Sequence, residues 1–298
     1  MKSRLKHLLT PEKIVILRMN GISLQEIAAL FYDLRPIIRT GISPWKLALF
    51  KKTISELGFK LLIIKTLCGP NRSNPLCLIS KSIKILKTYS ESEKKYIMEG
   101  SISTFLIGKY LGYPHCCIEK FIKNLYDKKG KNYPIVTLLD TKGKLDFRLN
   151  YLYNFDSRDF DYNECRNIFI SYRLSGYYLI PHRPCSFNCK ESIEYAQKIL
   201  DILKLEFPEY YKELISILKK PILYFSDFVF FPLIGKMKND TLNYQGFIKI
   251  HDCLPPETVK LLNKGNLIKR KNDCLQIYKD NQCIMDKLPS SVKLFNFE

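Results

Sequence analysis

The chain carries two short cysteine-containing segments, far apart in the sequence, that constrain its fold more than any other feature. The first is LGYPHCCIEKF, from Leu111 to Phe121, and the second is IPHRPCSFNCKES, from Ile180 to Ser192. In each segment prolines precede the cysteines and an apolar pattern of helical period follows them. This arrangement predicts that both cysteine pairs lie at helix N-termini, where free backbone N–H groups favour thiolate, the form that binds metal.

The first segment is expected to place its two cysteines on different sides of a helix. Four residues form the predicted apolar face: Ile118, Phe121, Ile122 and Leu125. At 100° per residue, Cys117 lies at the flank of this face and Cys116 lies nearly opposite to it. Burial in a core therefore does not explain Cys116. Because neighbouring helical side chains diverge, a single ion is expected to use only one of the two cysteines, whereas a larger cluster can use both.

The second segment has the spacing H-x-x-C-x-x-x-C, formed by His182, Cys185 and Cys189. Either Ser186 or Asn188 is expected to cap the helix that follows. A C-x-x-x-C pair is looser than the common C-x-x-C pair of zinc sites. Even so, two close cysteine pairs separated by a long insert are typical of sulfur-rich metal sites.

A metal site would form if the two helix starts came together. The predicted metal ligands are four cysteines and one histidine, namely Cys116, Cys117, Cys185, Cys189 and His182. The histidine is interpreted either as a ligand or as a proton donor beside the metal. The expected cofactor is an iron–sulfur cluster or zinc. Arg183 is a candidate to hold an anionic substrate by a bidentate contact, and Tyr113 is a candidate to line the pocket.

Several functions remain compatible with these residues. The first is a metalloprotein with a thiolate-rich site, redox-active if the metal is iron, whose reaction and enzyme status the sequence leaves unknown. The second is a non-enzymatic RNA-binding protein with a closed structural zinc site. Cysteines that only pack or form disulfides, and a redox-active dithiol or catalytic cysteine, are further alternatives. Phosphate-binding, dinucleotide-binding and zinc-deaminase motifs are absent from the sequence.

The remaining cysteines are weaker candidates for a site. Cys68 and Cys77 flank a loop and are interpreted as a disulfide or as core residues. Three more stand alone in apolar or strand-like contexts and are expected in the core: Cys165, Cys274 and Cys283. His251 and Cys253 end a predicted strand, from which they would be able to complete a site.

The net charge of +19 would attract nucleic acid or other polyanions, and the sequence leaves the partner unknown. A compositional bias of the kind seen in thermophiles, which are rich in Lys and Glu, is the explanation that charge alone favours. The first residues, MKSRLKHLLTPEK, are basic but lack the apolar stretch of a signal peptide, and no apolar run is long enough to span a membrane. We therefore expect a cytoplasmic protein without a membrane partner.

The pattern of caps, prolines and apolar residues predicts an α+β fold. It comprises an N-terminal helical segment (1–59), a cysteine-containing α+β core with a small sheet (60–221) and a β-rich C-terminal part (222–298). Short strands are predicted at 60–66, 76–80, 135–139 and 147–152. Helices are predicted at 103–111, ended by Gly112, at 190–205, at 209–219 and at 257–263, closed by Gly265. Capping boxes are predicted at Ser23 with Glu26 and at Ser90 with Glu93, and turns at 239–240 and 279–281.

The two cysteine segments resemble a family of uncharacterised archaeal and bacterial proteins, classed as a domain of unknown function. The shared pattern is L-G-Y-P-x-C-C-x-x-x-F followed much later by H-x-P-C-S-x-x-C-x-x-S, and this chain has both parts in full. The resemblance extends over roughly residues 60 to 235 and leaves the N-terminal helices peripheral. It implies that the two segments work together, and it implies no particular reaction.

Overall fold

The computed structural model describes residues 4–64, 75–99, 101–126, 132–154, 176–226, 229–250, 254–271 and 274–298. Within these ranges the predicted α+β class is confirmed. The N-terminal and central parts are helical with a three-stranded sheet, and the C-terminal part is rich in strands that form a seven-stranded sheet.

The chain divides into two compact units. The first comprises Met1–Lys129, Tyr178–Cys185 and Cys189–Lys212, and the second comprises Gly130–Tyr177, Ser186–Asn188 and Glu213–Glu298. Both cysteine pairs therefore belong to the first unit. The boundaries near residues 59 and 221 remain predictions.

The first unit begins with helices α1 (Leu5–Leu8), α2 (Pro11–Arg18), α3 (Leu24–Phe31) and α4 (Leu47–Glu56). The helix starts follow the sequence signals. The Thr10 hydroxyl accepts a hydrogen bond from the backbone at the start of α2, and Ser23 and Glu26 form the predicted capping box of α3. Gly58 follows α4 with a φ of +79°, a conformation that suits glycine at a helix end.

A small antiparallel sheet lies in this unit, with β1 (Ile38–Gly41) and β2 (Lys60–Ile64) on either side of β3 (Leu76–Ser80). The strands at 60–64 and 76–80 confirm the prediction, and residues 65 and 66 lie outside the described residues. All five residues of β3 are buried, as expected for a central strand.

Three helices lead to the first cysteine pair: α5 (Ile83–Glu99), α6 (Ser101–Tyr110) and α7 (His115–Tyr126). The predicted helix near 103–111 is confirmed. The predicted capping box at Ser90 and Glu93 is wrong, because α5 continues through both residues. Glu93 is buried and forms an ion pair with Arg39, so its carboxylate is engaged by tertiary structure rather than by a helix end.

The two strands predicted in the middle of the chain are also wrong. Helix α8 (Tyr133–Leu139) and a 3-10 helix (Phe147–Leu149) occupy these positions in the second unit. Asn132 caps α8 by accepting a hydrogen bond from the Ile135 backbone N–H, and Pro134 lies in its first turn. These start signals outweigh the strand preference of the β-branched residues that follow.

Helices α9 (Lys190–Glu206) and α10 (Pro208–Leu218) come next, close to the predicted bounds. Beyond α10, the second unit contains an antiparallel sheet of seven strands in the order β10-β4-β5-β6-β7-β8-β9. The strands are β4 (Ile222–Ser226), β5 (Val229–Lys238), β6 (Thr241–Phe247), β7 (Leu267–Lys271), β8 (Cys274–Lys279), β9 (Gln282–Met285) and β10 (Lys293–Phe295). Helix α11 (Pro256–Lys264) precedes β7 and is capped by Gly265, near the predicted position.

Tight turns join the strands where the sequence predicts them, at Asn239 and at Asp280 and Asn281, which all have positive φ. Among the described residues, no helix combines the length and the apolar character needed to cross a membrane.

Candidate metal centre

The first cysteine pair is positioned by the turn between α6 and α7. Gly112 has a φ of +76°, and a Cβ added to it would lie 3.4 Å from Pro36 Cδ and 3.5 Å from the Arg35 Cα. The turn thus packs closely against neighbouring backbone, in a conformation that favours glycine. The Pro114 carbonyl then accepts hydrogen bonds from the N–H groups of Cys117 and Ile118, both at 3.0 Å, so the helix begins directly at the cysteines.

The second pair is positioned by the start of α9. Cys189 itself occupies the N-cap position, with extended backbone, so the prediction of a Ser186 or Asn188 cap is wrong. Those two side chains are engaged elsewhere, since the Ser186 hydroxyl contacts Asn188 Oδ1 at 2.9 Å and Asn188 Nδ2 donates to the Lys142 carbonyl at 2.5 Å. Cys189 therefore lies at the helix end that carries the free N–H groups, although its side chain makes no capping hydrogen bond to them.

The four cysteine sulfurs come together in one cluster. The Sγ atoms of Cys116, Cys117, Cys185 and Cys189 all lie within 4.8 Å of one another. The Cys116–Cys189 distance is 3.6 Å, the Cys117–Cys189 distance is 3.8 Å and the Cys116–Cys117 distance is 3.9 Å. Adjacent cysteines can thus share a site here, contrary to the expectation that their side chains diverge. Four thiol groups at this spacing are compatible with a metal site.

The electrostatics of the cluster show that four thiolates do not coexist without a counter-charge. Hydrogen bonding from the Cys117 and Cys185 thiols holds the pKa of Cys189 well below its usual range. Burial, with hydrogen bonding to Cys189, raises the pKa of Cys116 to about 12, and hydrogen bonds with Cys185 and Cys189 raise that of Cys117 well above its usual range. The cluster thus contains one thiolate that accepts hydrogen bonds from neighbouring thiols. A bound cation would replace the protons of those thiols.

Ser192 links the cluster to His182. The Ser192 Oγ lies 3.4 Å from the Cys117 Sγ and 2.9 Å from the His182 Nε2. Burial lowers the pKa of His182 to about 3, so its imidazole is neutral. The Nδ1 atom is buried and has no hydrogen-bond partner among the described residues. Because a buried unpaired N–H costs more than a lone pair, we assign the ring proton to Nε2, which donates to Ser192 while the hydroxyl donates to Cys117.

His182 is thus brought close to the sulfurs, but the metal-compatible group in the described residues consists of the four cysteines alone. Its predicted role as a ligand or proton donor stays a prediction. Tyr113 packs against His182 with a ring-centroid distance of 5.1 Å, and Arg183 is half-buried beside the histidine in the chain. Their predicted contacts with a substrate are likewise still predictions.

A buried ion pair lies close to the turn at Gly112 and to His182. Arg35 Nη1 lies 2.7 Å from Glu26 Oε1, and Tyr178 donates to Glu26 Oε2 at 2.7 Å. The Arg35 guanidinium also contributes to the lowered pKa of His182. A polar network of this kind, with its partners in place, fixes the positions of the segments that it joins.

The other cysteines are distributed through the chain. Cys77 is buried in β3, Cys274 is half-buried, and Cys283 is exposed, so the core placement expected for Cys283 is wrong. Four residues lie outside the described residues: Cys68, Cys165, His251 and Cys253.

Two contributions to the site were missed in the sequence. Ser192 belongs to the second cysteine segment and lies three residues after Cys189, the N-cap of α9. It therefore occupies the N3 position, from which a side chain can reach back to the cap. That spacing is a signal that was available. Arg35 and Glu26 carried no such signal, because their pairing depends on tertiary packing.

Comparison of the chain with known protein families, with curated proteins and with solved structures finds no match.

Proposed function

We propose that the protein binds a single metal ion through the thiolates of Cys116, Cys117, Cys185 and Cys189. The observation that carries this proposal is the spacing of the sulfurs. A tetrahedral site with metal–sulfur bonds of about 2.3 Å has sulfurs about 3.8 Å apart. Cys116, Cys117 and Cys189 have sulfur–sulfur distances of 3.6, 3.8 and 3.9 Å, and all four sulfurs lie within 4.8 Å of one another.

The same spacing favours one ion over an iron–sulfur cluster. The thiolates of a four-iron cluster each bind a different iron at a different corner, so that they lie farther apart than the ligands of one ion. An S₄ tetrahedron is the geometry typical of zinc. We therefore propose zinc as the ion, with mononuclear iron as the alternative that the same ligands accommodate. Thiolates of this kind persist in a reducing compartment such as the cytoplasm.

A bound ion would join two helix starts that are distant in the sequence. Cys116 and Cys117 lie at the start of α7, while Cys185 and Cys189 lie before and at the start of α9. Metal binding would replace repulsion between thiolates by attraction to one cation, and it would stabilise the first unit.

The test is metal analysis of purified protein, followed by replacement of the metal with Co²⁺. One equivalent of zinc, and an absorption spectrum of tetrahedral cobalt with thiolate charge-transfer bands, are expected for the wild type. Cys189→Ser should lose most of the bound metal, whereas Cys283→Ser, at an exposed cysteine outside the cluster, should retain it. Two or more irons with acid-labile sulfide would contradict the single-ion proposal, and protein without metal would contradict the metal site altogether.

A second candidate function is the binding of a polyanion such as RNA, and the sheet of the second unit favours it. None of the residues in the four neighbouring strands β5 to β8 is acidic, and their basic residues are Lys236, Lys238, Lys269, Arg270, Lys271 and Lys279. Such a distribution is the electrostatic signature of a phosphate-binding surface.

Part of this charge lies on one face of the sheet. Lys238 pairs with Thr241, and Thr241 pairs with Lys269, so the two lysines point to the same side across three strands. Lys236 lies two residues from Lys238 on that side, and Lys269 Nζ lies 4.8 Å from the centre of the Tyr278 ring. Basic side chains next to an aromatic ring are typical of surfaces that bind single-stranded nucleic acid.

This candidate is tested by the salt dependence of binding to a single-stranded RNA homopolymer. Each lost phosphate contact should reduce the slope of log K against log salt by about 1. We expect such a reduction for Lys238→Gln and for Lys269→Gln. Lys190→Gln and Lys198→Gln, which change exposed lysines of α9, are the matched controls. An unchanged slope in the sheet variants would contradict the candidate.

A further inference from the structure

The four sulfurs of the cluster differ in exposure. Cys117 and Cys189 are buried, with exposed fractions of 2% and 6%, and we call them the inner pair. Cys116 and Cys185 are half-buried, and we call them the outer pair. A reagent from solvent would therefore meet the outer pair first.

The hydrogen bonds to the buried Cys117 sulfur also differ from those to the Cys116 sulfur. The Cys117 Sγ accepts a hydrogen bond from the Cys185 backbone N–H at 3.3 Å and contacts the Ser192 hydroxyl at 3.4 Å. The contacts of the Cys116 Sγ among the described residues are with other cysteines. In the described part of the chain, Cys116 thus lacks the N–H and O–H donors that Cys117 has.

The surface around Cys116 is open. On the same helix flank, His115 and Glu119 are each 63% exposed and lie 3.5 Å apart as a weak ion pair. The His115 ring packs edge-on against Phe105, at a ring-centroid distance of 5.1 Å, while most of the surface of both side chains faces solvent. The side chain of Cys116 is therefore bordered by exposed groups of its own helix, whereas the chain neighbours of Cys185 are buried or half-buried. Of the outer pair, Cys116 is thus the sulfur that an incoming molecule reaches more easily from solvent.

Hydrogen bonds to a metal-bound thiolate withdraw electron density from its sulfur and make it a weaker nucleophile. A thiolate that is bound to the metal, accessible and without such donors is the strongest nucleophile of its site. We infer that Cys116 is the nucleophile of this metal centre and accepts an alkyl group from a soft carbon electrophile. This inference rests on the proposed metal site.

The step balances without an oxidant or a base. A bond forms between the Cys116 Sγ and the electrophilic carbon as the bond from that carbon to its leaving group breaks, and the leaving group departs with the electron pair. No proton is released, because the metal-bound sulfur is already a thiolate. The product is a thioether, which is a weaker ligand than a thiolate, while the three remaining thiolates still hold the ion.

The experiment uses iodoacetamide on full-length protein whose zinc content has first been measured. Alkylation of each cysteine is followed over time by peptide mass spectrometry at pH 6 and pH 8. Cys283, which is exposed and outside the cluster, serves as the internal reference for a free thiol. A free thiol reacts through its thiolate fraction, so its rate falls by roughly tenfold for each pH unit below its pKa, whereas a metal-bound thiolate keeps its rate.

We expect Cys116 to be modified about tenfold faster than either inner cysteine, with a rate that changes less than about twofold between pH 6 and pH 8. Ser192→Ala should raise the rate at Cys117 several-fold, since it removes a donor to that sulfur. First modification of Cys185 or of the inner pair in zinc-loaded protein would overturn the inference, and so would a rate at Cys116 that follows pH as Cys283 does. Protein that contains no zinc would instead refute the proposed metal site, so the two failures are distinguishable.

Discussion

The sulfur atoms of Cys116 and Cys189 lie 3.6 Å apart although the residues are 73 positions apart in the chain. Each residue lies at the start of its own helix, so the contact joins the first turns of α7 and α9. Thiols at this distance compete for protons, which explains why the pKa of Cys189 falls while those of Cys116 and Cys117 rise. A cation bound between them would remove this competition.

The first prediction is that removal of the metal destabilises the protein. A ligand present at about 1,000 times its Kd adds about 4 kcal/mol to the free energy of unfolding, provided that the unfolded chain does not bind it. We expect a chelator to lower the thermal midpoint of the wild type by several degrees, and to have little effect on Cys189→Ser. Cys283→Ser should respond to the chelator as the wild type does. Equal midpoints of wild type with and without chelator would count against the metal site.

The second prediction concerns pH and His182. Its pKa is lowered to about 3 in the folded protein, chiefly by burial, while the unfolded chain has the ordinary histidine value of 6.5. Between these values the unfolded state binds more protons, so the free energy of unfolding falls as the pH drops below about 6.5. The loss is about 1.4 kcal/mol per pH unit, or about 2 kcal/mol at pH 5.

Urea unfolding at pH 8 and pH 5, with chelator present at both, measures this loss without a contribution from metal release. His182→Gln should show a smaller difference between the two pH values than the wild type. His7→Gln, at an exposed histidine, should leave the difference unchanged. A pH dependence of His182→Gln equal to that of the wild type would show that another group is responsible.

The third prediction concerns the buried ion pair of Arg35 and Glu26. Arg35→Met leaves the Glu26 carboxylate buried without its cation, and removal of one partner from a buried pair costs about 3–5 kcal/mol. Arg35→Met combined with Glu26→Gln should recover part of this loss, because no unpaired charge remains. The control is Lys212→Met in the exposed pair with Glu209, where about 0.5 kcal/mol or less is expected. Urea denaturation measures all three variants.

Local signals were sufficient to predict the elements that build the site. The capping box of Ser23 and Glu26, the glycine turn at Gly112 and the helix start after Pro114 all follow from short-range chemistry, and the structure has each of them. The predicted strand at 135–139 failed because it was inferred from β-branched residues, whereas the cap at Asn132 determines the helix there.

The assembly of the site was beyond such signals. No local pattern specifies that Cys116 meets Cys189, since that depends on how the helices pack within the first unit. The N-cap position of Cys189 was missed because serine and asparagine are better caps than cysteine. The contact of Ser192 with both Cys117 and His182 likewise depends on three segments meeting.

The last prediction concerns Gly112, whose φ of +76° places the chain for the start of α7. Gly112→Ala should cost about 1–2 kcal/mol, because a Cβ is disfavoured in the left-handed region. The backbone would have to move to relieve this strain and the contact of the new Cβ with Arg35 and Pro36. Because this movement would displace the helix start that carries Cys116, we also expect weaker binding of zinc. Gly143→Ala is the matched control, since Gly143 has a φ of +89° but no atom within 4 Å of the added Cβ. It should lose similar stability and bind zinc as the wild type does. If both variants bind zinc with unchanged affinity in a competition titration, the turn at Gly112 does not position the metal site.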